Sequence, residues 1–199
     1  MLGGQILGNE ELLNVVTSDK ILDVVDCYLG APARIFSVNA FWSFPDHHRP
    51  HVSQEFHRDQ SHSKVLALFI YLTDVNVSSG PHQYFQYSHC KSSLSENLTD
   101  ADMVEQLFNL PLDGREQDSL YLKNLSDLLR TFERPAGHSI LLNPYGIHRG
   151  LEPTSEKRLM AWARYTVMPN SSAIAKVDAD CIRGNLTDRK LYALSPLIR

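Results

Sequence analysis

The feature that most constrains the fold of this chain is a nearly continuous apolar run at residues 65–72. A run of eight such residues is typical of a buried strand, and it is far shorter than the roughly 20 residues that a membrane-spanning helix needs. Turn-forming residues follow at positions 73–74 and 78–81, and residues 84–87 again have strand composition. The pattern predicts a buried hairpin made of these two strands.

Other segments of the chain show the same short, punctuated pattern. Residues 35–44, 139–142 and 159–167 are rich in strand-forming residues, whereas residues 10–28 have the apolar spacing of one or two short amphipathic helices, broken near residues 17–19. Residues 91–130 switch to helical spacing and predict a helical insertion between strands. Short helices followed by closely spaced strands favour a mainly β fold with flanking helices, a double-stranded β-helix (jelly roll, cupin-like), over a βαβ fold.

Length and charge limit what such a fold can do. A chain of 199 residues with 43% hydrophobic residues can bury one core, so we expect one domain over residues 1–199. The net charge of -4 comes without a basic stripe, so nucleic acid is not an expected partner. The three cysteines lie far apart and predict neither a disulfide framework nor a zinc knuckle. Because the N-terminus lacks a basic and apolar leader, we expect a cytoplasmic protein without a membrane span.

Nine histidines are many for this length, and one group lies beside a carboxylate at a useful spacing. His57 and Asp59 are two residues apart, so both side chains leave the same face of an extended segment and can share one ion. His148, at the end of a predicted strand, is the best third ligand. Two imidazoles and one carboxylate suit Fe(II) as a facial triad with open coordination positions, whereas thiolates would be expected for zinc or a cluster.

These residues belong to a longer series of motifs that resembles a known family. The matching motifs are Phe56-His57-Arg58-Asp59, residues 68–75, Ser79-Gly80-Pro81-His82, Ser88-His89 and residues 143–150. In order and spacing they are similar to the phytanoyl-CoA dioxygenase family of Fe(II)- and 2-oxoglutarate-dependent oxygenases, over about residues 41–165. The resemblance implies that His57, Asp59 and His148 bind Fe(II). It also implies that Arg158 holds the distal carboxylate of 2-oxoglutarate, which is a co-substrate together with O2.

The resemblance leaves one contact open. The family's polar residue on the strand after the His-x-Asp motif is apolar here, at residues 67–69, so a second contact to 2-oxoglutarate must come from elsewhere. Asn39, on the strand before the metal loop, is a candidate near the proximal carboxylate. Three further groups of side chains receive less specific predictions. A polar loop that is solvated or contacts the substrate is predicted for His47, His48 and His51, and turn or surface positions are predicted for His62, His82, His89 and His138. Strand alternation should point Arg58 and Arg149 away from the metal.

Together these motifs predict a dioxygenase that hydroxylates a small-molecule metabolite, with succinate and CO2 as co-products. The presence of Asp59 argues against a halogenase, in which chloride takes that coordination position. Two other functions stay open: a catalytically silent jelly roll that binds a ligand or a structural metal, and a cupin-like metal hydrolase or isomerase that would not need Arg158. The polar loop at residues 46–51 favours a polar, sugar-like or anionic substrate, and the sequence leaves open the substrate's identity and the oligomeric state.

Overall fold

The computed structural model describes residues 7–45, 54–59, 64–98, 100–109, 115–169, 174 and 176–198. The α-helices in these ranges are α1 (Glu10–Val16), α2 (Asp19–Leu29), α3 (Lys91–Ser95), α4 (Ala101–Asn109), α5 (Arg115–Leu125) and α6 (Asp188–Leu194). The strands are β1 (Arg34–Ser43), β2 (Leu66–Tyr71), β3 (His82–Phe85), β4 (Leu129–Phe132), β5 (Ser139–Leu142), β6 (His148–Gly150) and β7 (Arg158–Thr166). Helices α3 to α5 lie within the predicted insertion at 91–130.

Capping residues mark the start of α1 and the end of α2. The Asn9 side chain accepts a hydrogen bond from the backbone N–H of Leu12 at 2.9 Å and so satisfies a free donor of the first turn of α1. Gly30 ends α2 in the left-handed conformation, with φ of 80°, which glycine adopts without strain. Since α1 ends at Val16 and α2 begins at Asp19, the predicted break is confirmed.

The strands form two antiparallel sheets that face each other. The larger sheet has the strand order β1-β7-β2-β5 and the smaller sheet has the order β4-β3-β6. An isolated bridge between His57 and His148 adds the segment around His57 to the small sheet, next to β6. Phe69 of β2 and His82 of β3 stack across the gap with ring centroids 4.7 Å apart. This arrangement confirms the predicted mainly β fold with flanking helices.

The predicted hairpin of residues 65–72 and 84–87 is wrong, because β2 and β3 belong to different sheets. Strand β2 is hydrogen-bonded by β5 on one side and by β7 on the other, so it has no edge left for β3. The connection after β2 crosses between the sheets, pairing Val75 with Arg134 on the way. Gly80, with φ of 77°, then passes so close to the 151–153 backbone that a Cβ there would clash.

Two further details differ from the predictions. Strand β4 falls at the boundary of the predicted insertion, and its alternation is hidden because its central residues Arg130 and Thr131 are exposed and polar. His148 begins β6 and does not end the preceding strand, because β5 stops at Leu142 and a turn intervenes.

Alternate residues of the large sheet separate two apolar clusters. One face packs against α1, α2 and α6, through Leu68, Ala163 and Tyr165 among others. The opposite face, with Phe69 and Met160, points towards the small sheet. The outer face of the small sheet is covered by the helical insertion in a third cluster. The space between the two sheets is therefore enclosed on both sides by packed layers.

Among the described residues, no helix combines the length and apolarity needed to cross a membrane. Cys27, Cys90 and Cys181 are all free thiols.

Candidate metal centre

A cavity of about 590 Å³ opens between the two sheets. Its walls combine the pocket-facing residues of β1, β2 and β7 with residues of the small sheet and of the segment at 54–59. The lining residues are Asn39, Phe41, Trp42, Ser43, Phe44, Gln54, His57, Asp59, Phe69, His82, His148, Gly150, Glu152, Arg158, Met160, Trp162 and Arg164. The residues that line the cavity thus include every one that is predicted from the sequence to bind the metal ion or the co-substrate.

Backbone pairing holds the segment that carries His57 and Asp59. His57 and His148 exchange two backbone hydrogen bonds, at 2.9 and 3.0 Å, and the Asp59 N–H donates to the Pro144 carbonyl at 2.8 Å. The extended segment makes both side chains project into the cavity, because alternate residues of an extended chain share one face. The intervening Arg58 points the other way and donates to the carbonyls of Ser88 and Tyr145.

The three predicted metal ligands come together in space. One ligand atom of each of His57, Asp59 and His148 lies within 4.8 Å of the others, and His57 Nε2 is 3.8 Å from Asp59 Oδ1. The Nδ1 atoms of His57 and His148 lie 2.8 Å from the carbonyls of Glu55 and Gly146, respectively. A carbonyl only accepts, so each Nδ1 carries the proton and each Nε2 keeps its lone pair for a metal ion.

Burial supports the neutral form of His148 that a metal ion requires. This side chain is 3% exposed, and its pKa is lowered to about 4, first by burial and then by the nearby His57. At neutral pH the imidazole is therefore uncharged and can donate its Nε2 lone pair.

An arginine holds the carboxylate of the candidate triad. Arg164 Nη2 donates to Asp59 Oδ2 at 2.6 Å, while Asp59 Oδ1 faces His57. The Arg164 guanidinium lies 4.5 Å above the Trp162 ring. Arg164 therefore fixes the orientation of Asp59 and leaves one carboxylate oxygen for a metal ion. The sequence motifs do not predict this pairing, because Arg164 lies more than 100 residues from Asp59 along the chain.

Arg158 supplies a buried cation at one end of the cavity. It is 2% exposed, and its Nη2 donates to the Ser43 hydroxyl at 3.3 Å. Its Nε and Nη1 have no hydrogen-bond partner. Gly150 makes room for this guanidinium, because a Cβ there would come within 3.0 Å of Nη2. Burial lowers the Arg158 pKa, but arginine stays protonated in proteins, so the side chain presents unused charged donors to the cavity.

The structure places the other predicted residues as follows. Asn39 lies in the cavity wall, where it is the partner of Trp162 in the pairing of β1 with β7. Its Oδ1 accepts a hydrogen bond from the Ala40 N–H at 2.8 Å. Its contact with a co-substrate stays a prediction.

Arg149 faces away from the cavity, where its Nε donates to Gln83 and its guanidinium covers the Phe56 ring. The loop at 46–51, with its three histidines, and His62 lie outside the described residues.

The expected turn or surface position of His82 is wrong. His82 begins β3, is 2% exposed and lines the cavity. Strand β3 begins directly after Pro81, two residues earlier than its apolar composition suggests. The available signal was the strand alternation, because a buried Phe85 on one face implies that Tyr84 and His82 occupy the other face.

No protein-family model matches the sequence, and comparison with curated proteins gives no match. Several solved structures are similar in fold. The non-heme alpha ketoglutarate dependent epimerase SnoN from nogalamycin biosynthesis has a TM-score of 0.56 and 21% identity over 83% of this chain and 61% of its own. SnoN in complex with Fe3+, alpha ketoglutarate and nogalamycin RO has a TM-score of 0.55 and 20% identity, over 83% and 62%. The carbocyclase SnoK has a TM-score of 0.54 and 20% identity, over 78% and 58%.

This likeness confirms the double-stranded β-helix, or jelly roll, that the sequence predicts. The chain spans about three fifths of the length of these structures. Membership of the phytanoyl-CoA dioxygenase family stays a prediction.

Proposed function

We propose that this protein is a non-haem Fe(II)- and 2-oxoglutarate-dependent dioxygenase that hydroxylates a small-molecule metabolite, with succinate and CO2 as co-products. In this proposal His57, Asp59 and His148 hold the iron, and Arg158 holds the distal carboxylate of 2-oxoglutarate. The proposal agrees with the fold, which the chain shares with SnoN and SnoK.

One observation carries the proposal: an open two-histidine, one-carboxylate set and a buried, incompletely paired guanidinium share one cavity. Three protein donors leave coordination positions for a bidentate co-substrate and for O2. The unused Nε and Nη1 donors of Arg158 match a carboxylate, because a planar guanidinium can hold two carboxylate oxygens. A jelly roll that binds a metal ion alone, or a cupin-like hydrolase or isomerase, gives no reason for this buried cation.

Each residue then has a separate task. The two imidazoles and Asp59 bind the ion as neutral and anionic donors, and Arg164 keeps Asp59 in place from its other oxygen, at 2.6 Å. When iron, 2-oxoglutarate and O2 are bound, they supply the oxidising power, with one oxygen atom entering the substrate C–H bond and the other entering succinate as CO2 leaves. Because Asp59 occupies its coordination position and is fixed by Arg164, hydroxylation is favoured over halogenation.

Exposed aromatic rings in the cavity wall favour a substrate with an apolar surface. Phe41, Trp42 and Phe44 are each at least 36% exposed, and Trp42 stacks on Phe44 with ring centroids 6.0 Å apart. Such rings favour flat or apolar groups over a fully polar metabolite. The expectation of a sugar-like or anionic substrate came from the loop at 46–51, so we now favour a substrate with both polar and apolar parts. SnoN in complex with nogalamycin RO is a neighbour that binds a small molecule.

Removal of a hydrogen atom can end in different products, and the neighbours include an epimerase and a carbocyclase. Mass spectrometry of the product separates these outcomes. Hydroxylation adds one oxygen atom, epimerisation leaves the mass unchanged, and oxidative ring closure removes two hydrogen atoms. Hydroxylation is our choice because it requires no group beyond those named above.

The experiment is reconstitution with Fe(II) without oxygen, followed by 2-oxoglutarate and O2 in the absence of a primary substrate. We expect 2-oxoglutarate binding by calorimetry before O2 is added, and slow succinate release afterwards. Both signals should be lost in the metal-free protein, and succinate release should be lost in Asp59→Ala. Arg130→Gln, which alters an exposed arginine on β4, should behave like the wild type. Absence of both binding and succinate in the wild type would reject the proposal.

A further inference from the structure

His82 is a buried polar side chain that the roles described so far leave without a task. Its side chain lines the cavity, and neither of its ring nitrogens has a hydrogen-bond partner. A buried polar group without a hydrogen-bond partner lowers the stability of the fold relative to a satisfied one. An apolar ring at this position would avoid that loss of stability. The imidazole is therefore a candidate to form a hydrogen bond with a bound ligand.

His82 lies close to the candidate metal ligands, and its partner in the neighbouring strand lies close to Arg158. Its centroid is 5.6 Å from that of His148. His82 is also the register partner of Gly150, where a Cβ would lie 3.0 Å from Arg158 Nη2. His82 is not itself a metal ligand by geometry, because the set of donor atoms within 4.8 Å of one another in the described chain contains only His57, Asp59 and His148.

The position of His82 is also rigid. Its ring stacks on Phe69 at 4.7 Å, and its backbone N–H donates to the Tyr71 hydroxyl at 2.9 Å. The Tyr71 hydroxyl in turn donates to the Phe132 carbonyl at 3.0 Å, so it is already engaged. Of these side chains, only His82 has an uncommitted donor. A histidine ring carries at least one N–H in either tautomer, so His82 can donate to an acceptor placed in the cavity.

We propose that His82 is a positioning residue for 2-oxoglutarate and donates its ring N–H to the distal carboxylate that Arg158 holds. This inference rests on the proposed function. It also answers the question of the second contact, since the strand after the His-x-Asp motif is apolar here. Phe69 of that strand packs on His82, and the polar group reaches the carboxylate from β3 in the opposite sheet.

The burial of both His82 and Arg158 is the reason to assign His82 to the co-substrate and not to the primary substrate. His82 and Arg158 are each 2% exposed, whereas Trp42 and Phe44 are 39% and 57% exposed. A carboxylate held by Arg158 would therefore be shielded from solvent together with His82, whereas the exposed rings of Trp42 and Phe44 are available to a second molecule.

The test is 2-oxoglutarate binding to Ni(II)-loaded protein, measured by calorimetry, because Ni(II) occupies the site without turnover. His82→Phe keeps a ring on Phe69 and removes both nitrogens. We expect its Kd for 2-oxoglutarate to rise by about tenfold to a hundredfold, as for loss of a hydrogen bond to a charged group. His82→Asn, which restores a side-chain N–H, should recover part of the loss. The Ni(II) affinity should change by less than about twofold in both variants.

Two controls separate a ligand contact from a structural role. His138→Phe, which changes a partly exposed turn residue outside the cavity, should bind like the wild type. The metal-free His82→Phe protein should unfold at the same or a higher temperature than the wild type, because a buried unpaired group has been removed. A lower unfolding temperature together with weaker Ni(II) binding would assign His82 a structural role and overturn the proposal. His82→Leu provides the same loss of nitrogens if His82→Phe does not fold.

The location of the contact is tested with 2-oxovalerate, in which a methyl group replaces the distal carboxylate. His82→Phe should leave the weak binding of 2-oxovalerate almost unchanged. An equal loss for both oxo acids, or no loss for either, would overturn the assignment to the distal carboxylate. If the Ni(II)-loaded wild type does not bind 2-oxoglutarate, the proposed function fails. If the wild type binds it and His82→Phe binds it equally well, only the role of His82 fails.

Discussion

Strand β7 presents alternate residues to two different surroundings, and comparison of its two faces separates stability from binding. Towards the helices it presents Ala161, Ala163 and Tyr165, which are at most 3% exposed, and the Tyr165 hydroxyl donates to the Val16 carbonyl at 2.7 Å. Towards the cavity it presents Arg158, which is equally buried but has two donor nitrogens without partners. The helix-facing side satisfies its polar group within the chain, whereas the cavity-facing side keeps donors available.

This difference between the two faces predicts which property a substitution on each face changes. On the helix-facing side, close packing of apolar groups stabilises the fold, so a truncation leaves a cavity. On the cavity-facing side, buried polar groups cost stability until a ligand satisfies them. Substitutions on the helix-facing side should lower the free energy of unfolding and leave ligand affinity unchanged. Substitutions on the cavity-facing side should weaken ligand binding without destabilising the metal-free protein.

The largest expected effect is the loss of a candidate metal ligand on the cavity side. His57→Ala, Asp59→Ala and His148→Ala should each reduce iron content and 2-oxoglutarate turnover to background, because two remaining ligands cannot hold the ion. Circular dichroism should show a folded protein in each case. Iron content and succinate release measure the effect, and full activity in one variant would remove that residue from the triad.

A truncation on the helix-facing side should give the opposite result. Leu68 of β2 is 1% exposed and packs in the cluster under α1, α2 and α6. Leu68→Ala should lower the free energy of unfolding by about 2–5 kcal/mol, as in other buried leucine truncations. Denaturant titration measures the loss. The Kd for 2-oxoglutarate should stay within about twofold of the wild type under folding conditions, and a large change in Kd would break the separation of the two faces.

Arg158→Gln tests the cavity side without touching the metal ligands. Losing a buried charged contact typically costs several kcal/mol, so the apparent KM for 2-oxoglutarate should rise by about a hundredfold or more. The iron content should be unchanged, because Arg158 does not contact the metal ligands in this role. Arg130→Gln is the matched exposed control. A normal KM in Arg158→Gln would contradict the assignment of the distal carboxylate to Arg158.

The smallest effect is a pH dependence of the metal-free protein. His148 has its pKa lowered to about 4 and His82 has its pKa well below normal, whereas the unfolded chain restores values near 6.5. The unfolded chain therefore binds more protons below pH 6.5, and stability falls as pH drops from about 6.5 towards 4, by roughly 1 kcal/mol per pH unit for a single group. Denaturant midpoints at pH 7.5, 6.5 and 5.5 measure this slope. His82→Phe should make the dependence of stability on pH shallower. An unchanged slope would show that His82 does not contribute to this pH dependence.

The sequence predicts most of what is local in this structure. Amphipathic spacing places α1 and α2, and the two-residue spacing of His57 and Asp59 places both side chains in one cavity. The pairing of strands is not local, and therefore the hairpin of β2 with β3 was wrong. Composition shows that a strand is buried, but it does not show which strands occupy its two edges.

The same limit explains the parts of the candidate site that sequence analysis missed. His82 reaches the cavity only because β3 belongs to the sheet opposite β2, and Arg164 meets Asp59 only through the closure of the two sheets. Motif order led to Arg158, whereas the contacts of His82 and Arg164 depend on sheet topology. Binding of iron by the triad and of 2-oxoglutarate by Arg158 stays a prediction.

The most direct test of these assignments is a crystal structure of the protein with Ni(II) and 2-oxoglutarate bound in the absence of oxygen. We expect one metal ion bound by His57 Nε2, Asp59 Oδ1 and His148 Nε2. We also expect 2-oxoglutarate to chelate that ion and to place its distal carboxylate on Arg158 Nε and Nη1. A metal ion bound elsewhere, or a 2-oxoglutarate molecule that leaves Arg158 without a carboxylate, would contradict the account.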